Sequence, residues 1–225
     1  MFIGHFGLSF AAKKVAPKVS LAVLFIATQF VDILWPFLLV FGIEKVAVKP
    51  GYTKMNAFEF LHYPYTHSLF MGLVWGAIVG GIYWLLKRDN RSALVIGFCV
   101  LSHWLLDLVV HVADLPLSPF GEYKVGFGLW NHVAATLIVE TAIFLGGVII
   151  YASVTKAKNK AGKWGLWTLV ILLLLITISN TFGPTPPGSV KILFYSFVIM
   201  MAIIVSLSYW VDKNRASTDT NKHQH

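Results

Sequence analysis

The stretch Ser92-Ala-Leu-Val-Ile-Gly-Phe-Cys-Val-Leu-Ser-His-Trp-Leu-Leu-Asp-Leu-Val-Val-His111 decides how this chain is read. A bilayer core takes about 20 apolar residues of helix, and this run is of that length, with Asp107 as its one carboxylate and no Lys or Arg. It therefore reads as a membrane-spanning helix that carries an acid. Such an acid costs roughly 2.5–3.5 kcal/mol on insertion scales and must be compensated.

Working outward, similar apolar blocks lie at Val19–Phe41, Ser68–Leu86, Leu129–Ser153, Trp164–Phe182 and Ser189–Val211, with the central one extending over Ser92–Asp114. The expected fold is all-α: a polytopic bundle of about six transmembrane helices. Residues 1–16 form a shorter amphipathic or re-entrant helix, with Phe2, Phe6 and Phe10 at helical spacing, although Gly4 and Gly7 weaken that reading. Residues 1–211 form one membrane domain, and the polar residues 212–225 form a disordered cytoplasmic tail. No internal repeat is visible. The blocks within 164–211 carry almost no ionisable groups and read as scaffold, which leaves the chemistry to residues 1–140.

Composition agrees. Of 225 residues, 57% are hydrophobic and 12% charged, with a mean hydropathy of +0.72. Soluble domains carry about twice that share of charge. The net charge of +8 does not indicate nucleic acid, because the basic residues lie between the apolar blocks rather than on an aromatic-interleaved face. The single cysteine, Cys99, lies inside a block and excludes an internal disulfide framework. No small-residue cleavage site follows the first block, so it reads as an uncleaved span.

The basic residues set the orientation. Lys13, Lys14 and Lys18, then Lys87, Arg88 and Arg91, then Lys156, Lys158, Lys160 and Lys163, and finally Lys213, Arg215 and Lys222 fall on one side. Lys45, Lys49, Lys54, Lys124 and Lys191 fall on the other. The positive-inside rule places both termini in the cytoplasm. Trp84, Trp130, Trp164, Trp167 and Trp210 near block ends match an interfacial aromatic belt. Gly72, Gly76 and Gly80 let a neighbouring helix approach closely.

Asp32, Asp107 and Glu140 all lie within apolar blocks, with no deep Lys or Arg to pair them. Protons, histidines or a metal cation remain as partners. His103 and Asp107 stand at i, i+4 on one helix face, with Asp114 near the same stripe and His111 somewhat off it. An imidazole and a carboxylate one turn apart are zinc-type ligands. His62 and His67 flank Pro64 before the second span, where Thr66 or Ser68 can cap the helix that follows. His132 opens the fourth span. Counting along the spans brings His67, Asp107, His111 and His132 to one outer-leaflet level, and Asp32 joins from below if its helix kinks near Pro36. Blander readings exist: a packing pair for His103 and Asp107, a cap for His67, surface residues for His62 and His111, and a protonated packing residue for Glu140. His5 reaches the site only if the first helix is re-entrant or lies against the bundle. His223 and His225 are tail residues.

These residues in this order resemble a bacterial family of integral-membrane metal-dependent hydrolases of the LexA-binding inner-membrane type. The resemblance rests on an early His5 with a small residue four positions on, Asp32 at the end of the next helix, Thr66-His67-Ser68 opening a span, and Ser102-His103 with Asp107 in the span after it. It covers residues 1–140. The chain departs from the family at Phe30-Val-Asp-Ile-Leu-Trp-Pro36, where a second Asp is common, and at His62-Tyr-Pro-Tyr65, where an Arg often stands. The ligand order is also distantly similar to that of secreted zinc phospholipases C and related nucleases.

The expected function is that of a membrane-embedded metal-dependent hydrolase of the bacterial inner membrane, acting at the outer leaflet on a phosphoester of a lipid or lipid-linked substrate. A divalent metal, zinc by ligand type, is held by His67, His103 and Asp107 with His132 or Asp32, and His5, His62 and His111 are further candidates. Asp32 or Glu140 acts as base or orienter. Two alternatives stand beside it: a proton- or cation-coupled transporter built on the same buried groups, and a non-catalytic scaffold with a closed structural metal site. The partner is the lipid bilayer; the oligomeric state is not legible.

Overall fold

The structure is a computed structural model and describes residues 1–218. Three helices open the chain: α1 (Ile3–Val15), α2 (Leu21–Thr28) and α3 (Phe30–Val40). A hairpin of β1 (Lys45–Val48) and β2 (Phe58–His62) and a single turn, α4 (Pro64–His67), lead to α5 (Leu69–Lys87) and α6 (Asn90–Val110). A small hairpin of β3 (Leu115–Pro116) and β4 (Lys124–Val125) precedes α7 (Val133–Val154). Then come β5 (Thr155–Ala157), α8 (Lys160–Phe182), α9 (Val190–Lys213) and β6 (Arg215–Ser217), which pairs with β5. Among the described residues, α5 to α9 include five helices long and apolar enough to cross a membrane, and the pair α2–α3 makes six if it counts as one span. The expected all-α membrane bundle is the observed one.

The first span is broken rather than gently kinked. α2 and α3 meet at 54°, and the break falls at Gln29, not near Pro36. Pro36 sits inside α3. The break leaves the Thr28 carbonyl without a helical acceptor role, and the site uses it.

α1 is not amphipathic in its surroundings. Ile3, Phe6 and Phe10 are fully buried with Phe25 of α2 and Phe144 and Tyr151 of α7. Gly7 and Gly147 make this possible: a Cβ on Gly147 would lie 1.9 Å from the Gly7 carbonyl oxygen. The two glycines that weaken a helix by propensity are thus tolerated because at least Gly7 brings two backbones together. Gly76 does the same on α5, facing Gly97 of α6.

At the lysine-rich end, the Lys13 ammonium donates to the Val19 carbonyl (2.7 Å) and pairs with Asp212 (2.8 Å), which also accepts from the Leu21 amide (3.1 Å) and the Tyr151 hydroxyl (2.8 Å). This fastens α1, α2, α7 and α9 to one another. α1 therefore starts deep in the bundle: the Met1 amino group is bonded to Asp107, at the opposite end from Asp212. The polar segment after the sixth block is ordered through β6 as far as Thr218, and the rest of it, with Lys222, His223 and His225, lies outside the described residues.

The close α1–α7 crossing is directly testable. Gly147→Ala is expected to lose about 1–3 kcal/mol by overpacking, read as a lower midpoint of thermal unfolding in detergent. Gly146→Ala, whose Cβ meets nothing within 4 Å, is expected to leave the midpoint unchanged.

Candidate metal centre

Each polar side chain of the centre is placed by a local device. Pro64 starts the single turn α4 rather than ending a helix, since a first-turn residue needs no N–H. Ser68 then turns extended and caps α5 through the Met71 amide, leaving His67 at the junction. Asp32 stands in the first turn of α3, just past the break. His103 and Asp107 lie one turn apart near the end of α6, and His5 lies in the first turn of α1.

The distances bring them together. His67 Nε2 is 3.1 Å and His103 Nε2 3.5 Å from Asp32 Oδ1. His103 Nε2 is 3.2 Å from Asp107 Oδ2, and His5 Nε2 is 3.2 Å from Asp107 Oδ1. The His5 and His103 rings stack at 3.8 Å. Two groups, Asp32–His67–His103 and His5–His103–Asp107, each place three ligand-type atoms within 4.8 Å of one another. All but Asp32 are buried, and Asp32 opens onto a cavity.

Hydrogen-bond partners indicate a proton on Nδ1 of two of the imidazoles. A carbonyl can only accept, so His103 Nδ1–H donates to the Thr28 carbonyl freed by the helix break (2.7 Å). His103 Nε2 is left buried without a hydrogen-bond partner, facing two carboxylates. For His67, the Thr66 hydroxyl donates to Glu44 (2.7 Å) and so accepts from His67 Nδ1–H (2.6 Å). His67 Nε2 is then the atom that meets Asp32 Oδ1, at 3.1 Å. A bare nitrogen beside a carboxylate oxygen is repulsive unless the two share a proton or a metal ion.

Glu44 holds this relay and also accepts from the Tyr65 and Thr66 amides, both at 2.9 Å. Burial pushes its carboxyl above the ordinary range, against the opposing pull of His67 and the donated bonds. On the other flank, His111 Nδ1 meets Asp114 at 2.9 Å, and the Tyr63 and Tyr52 hydroxyls bond the same carboxylate at 3.4 and 3.2 Å. Burial, with Asp114 nearby, pushes the Tyr52 phenol up to about 12, so it stays a donor.

The remaining candidates stand apart. His111 Nε2 is 3.8 Å from Asp107, beside the two groups rather than in either. The helix ends at Val110, so His111 and Asp114 meet by a turn of the chain and not on a helical stripe. Glu140 accepts from the Phe2 and Gly4 amides at 2.8 and 3.4 Å, the position of a carboxylate at a helix N-terminus. His62 is exposed on β2, and His132 is exposed at the start of α7. Neither joins the cluster, because β2 turns His62 outward and the three-residue turn Leu129–Asn131 carries Trp130, not His132, inward against His111 at 4.3 Å. Trp130 thus lines the same cavity as the site. Residue pattern alone gave no sign of Glu44, which stands beside Lys45 like an ordinary surface acid; the hydroxyl of Thr66 next to His67 was the available hint.

Residues 3–183 match the family model described as YdjM inner membrane protein. The chain belongs to the YdjM inner membrane protein family. It is accordingly a multi-pass membrane protein set in a lipid bilayer. The YdjM match begins with α1 and ends just past α8, so it contains every residue of the two clusters and leaves out α9. No curated protein and no solved structure matches the chain.

The proton assignment at His103 has a direct check. In protein labelled with ¹⁵N-histidine, the His103 Nδ1 signal, assigned by its loss in His103→Gln, is expected to be that of a protonated nitrogen at every pH where the fold persists. An unprotonated Nδ1 would contradict the bond to Thr28.

Proposed function

We propose that this protein is a metal-dependent hydrolase whose divalent ion, zinc by its nitrogen and oxygen donors, is held by Asp32, His67, His103 and Asp107, with His5 beside them. The observation that carries this reading is the buried, unpartnered His103 Nε2 between two carboxylates, with His67 Nε2 presented to the same Asp32 oxygen. Histidine ligands whose second nitrogen is fixed by a carbonyl or a carboxylate relay are the usual support of such sites. Cys99, buried elsewhere among apolar side chains, is no candidate. The donor set fits zinc and leaves one side open to the cavity through Asp32.

When bound, such an ion supplies Lewis-acid activation of water and polarises a phosphoryl or carbonyl oxygen. The chain's own residues do the rest. Thr28 and Glu44 orient the imidazoles. Asp114 holds His111 through Nδ1, and His111 lines the cavity with its Nε2 3.8 Å from Asp107, a position from which it can take or give a proton. Asp32 is a ligand in this reading and Glu140 a helix cap, so the base expected at those two positions passes to His111. The expected substrate is a lipid or lipid-linked phosphoester at the outer leaflet. Proton- or cation-coupled transport is the second reading, favoured by the broken helix beside a buried acid.

Metal analysis of the purified protein tests the first reading. After zinc loading and dialysis, wild type is expected to retain stoichiometric metal and Asp107→Ala to retain almost none; equal, negligible metal in both would remove the reading. Glu44→Gln is a finer test. The amide would donate to Thr66, turn its hydroxyl toward His67 Nδ1 and move the imidazole proton to Nε2. Zinc affinity is then expected to fall about 10–100-fold in a competition titration with a chelator.

A further inference from the structure

The centre lines a cavity of about 610 Å³ whose wall is mixed: Thr177, Asn180 and Ser196 contribute polar groups, and apolar side chains come from two helices. Leu193, Phe197 and Met200 line it from α9, at the i, i+4, i+7 spacing of one helix face. Trp35 and Leu39 of α3 line it opposite. These α9 residues lie in the segment expected to be scaffold. Two further features point to an anionic head at the polar end. Lys54, on the loop between β1 and β2, is the one Lys or Arg among the described lining residues. Trp35 has a buried indole N–H without a hydrogen-bond partner, and a buried donor of this kind calls for an acceptor.

We infer that this cavity holds a membrane lipid with a phosphoester head, its phosphate between the metal centre and Lys54 and its hydrocarbon chain along the Leu193–Phe197–Met200 face of α9. The inference rests on the hydrolase reading for the fate of the head but not for the seat of the chain. Charge matching accounts for the head, because a phosphate suits a divalent ion, an ammonium and an indole N–H together. Apolar contact accounts for the chain, and a water-soluble phosphoester would leave the α9 face uncovered.

The test uses the full chain in phosphatidylcholine nanodiscs with a long-chain diacylglycerol phosphate that carries a photoreactive diazirine in its acyl chain. Saturable labelling of residues 193–200 is expected, competed by unlabelled diacylglycerol phosphate and not by phosphatidylcholine. Met200→Trp should fill the chain's place and abolish that labelling. Lys54→Gln, a change at an exposed loop residue, should weaken competition about tenfold. Labelling spread over all lipid-facing helices, without competition, would overturn the inference; if such protein still hydrolysed a short-chain soluble phosphoester, the hydrolase reading alone would stand. Saturable labelling without turnover in zinc-loaded protein would support the lipid site and sink the hydrolase.

Discussion

Asp32 and Asp107 are carboxylates set among apolar helices, and the structure around them is organised by the need to compensate that charge. Isolated acids in such surroundings would cost several kcal/mol each. The chain answers by aiming three imidazoles at them, from α1, α4 and α6, and by fixing two of those rings through Nδ1 so that their Nε2 atoms face the oxygens. That arrangement calls for a proton or a metal ion shared between nitrogen and oxygen. The break between α2 and α3 follows from the same requirement, because it frees the carbonyl that sets the proton of His103.

The supporting shell explains why the centre has a definite shape. Glu44 and Thr66 hold His67, and Asp114 with Tyr63 and Tyr52 holds His111. α1 would not reach the centre without the glycine crossing at α7 and the Lys13–Asp212 pair that anchors its other end. Orienting groups of this kind set ligand geometry in metal proteins as much as the ligands do.

Much of this was legible in the sequence, for physical reasons. Long apolar blocks can only be membrane helices, and an acid within one needs a partner, so the bundle, Asp32, Asp107, His67 and His103 follow from composition and spacing. His5 was legible only conditionally, because its arrival depends on α1 running into the bundle. What escaped was set by backbone geometry between elements. The break at Gln29 carries no proline or glycine to mark it, and Pro36 drew the expected kink to the wrong place. His62 and His132 sit beside site residues in sequence, yet a strand and a three-residue turn rotate them to the surface. Glu44 and Asp212 lie next to lysines and look solvated, whereas tertiary contacts bury one completely and tie the other to Lys13. The α9 face escaped because its apolar residues match those that meet lipid anywhere.

The central claim is that imidazole nitrogens and carboxylate oxygens of different helices share one divalent ion. X-ray absorption at the zinc edge of the loaded protein tests this most directly. The account predicts a shell of nitrogen and oxygen only, at about 2.0–2.1 Å, with the outer-shell scattering of at least two imidazoles, reduced in His103→Gln. A shell containing sulfur, or one without imidazole scattering, would contradict it.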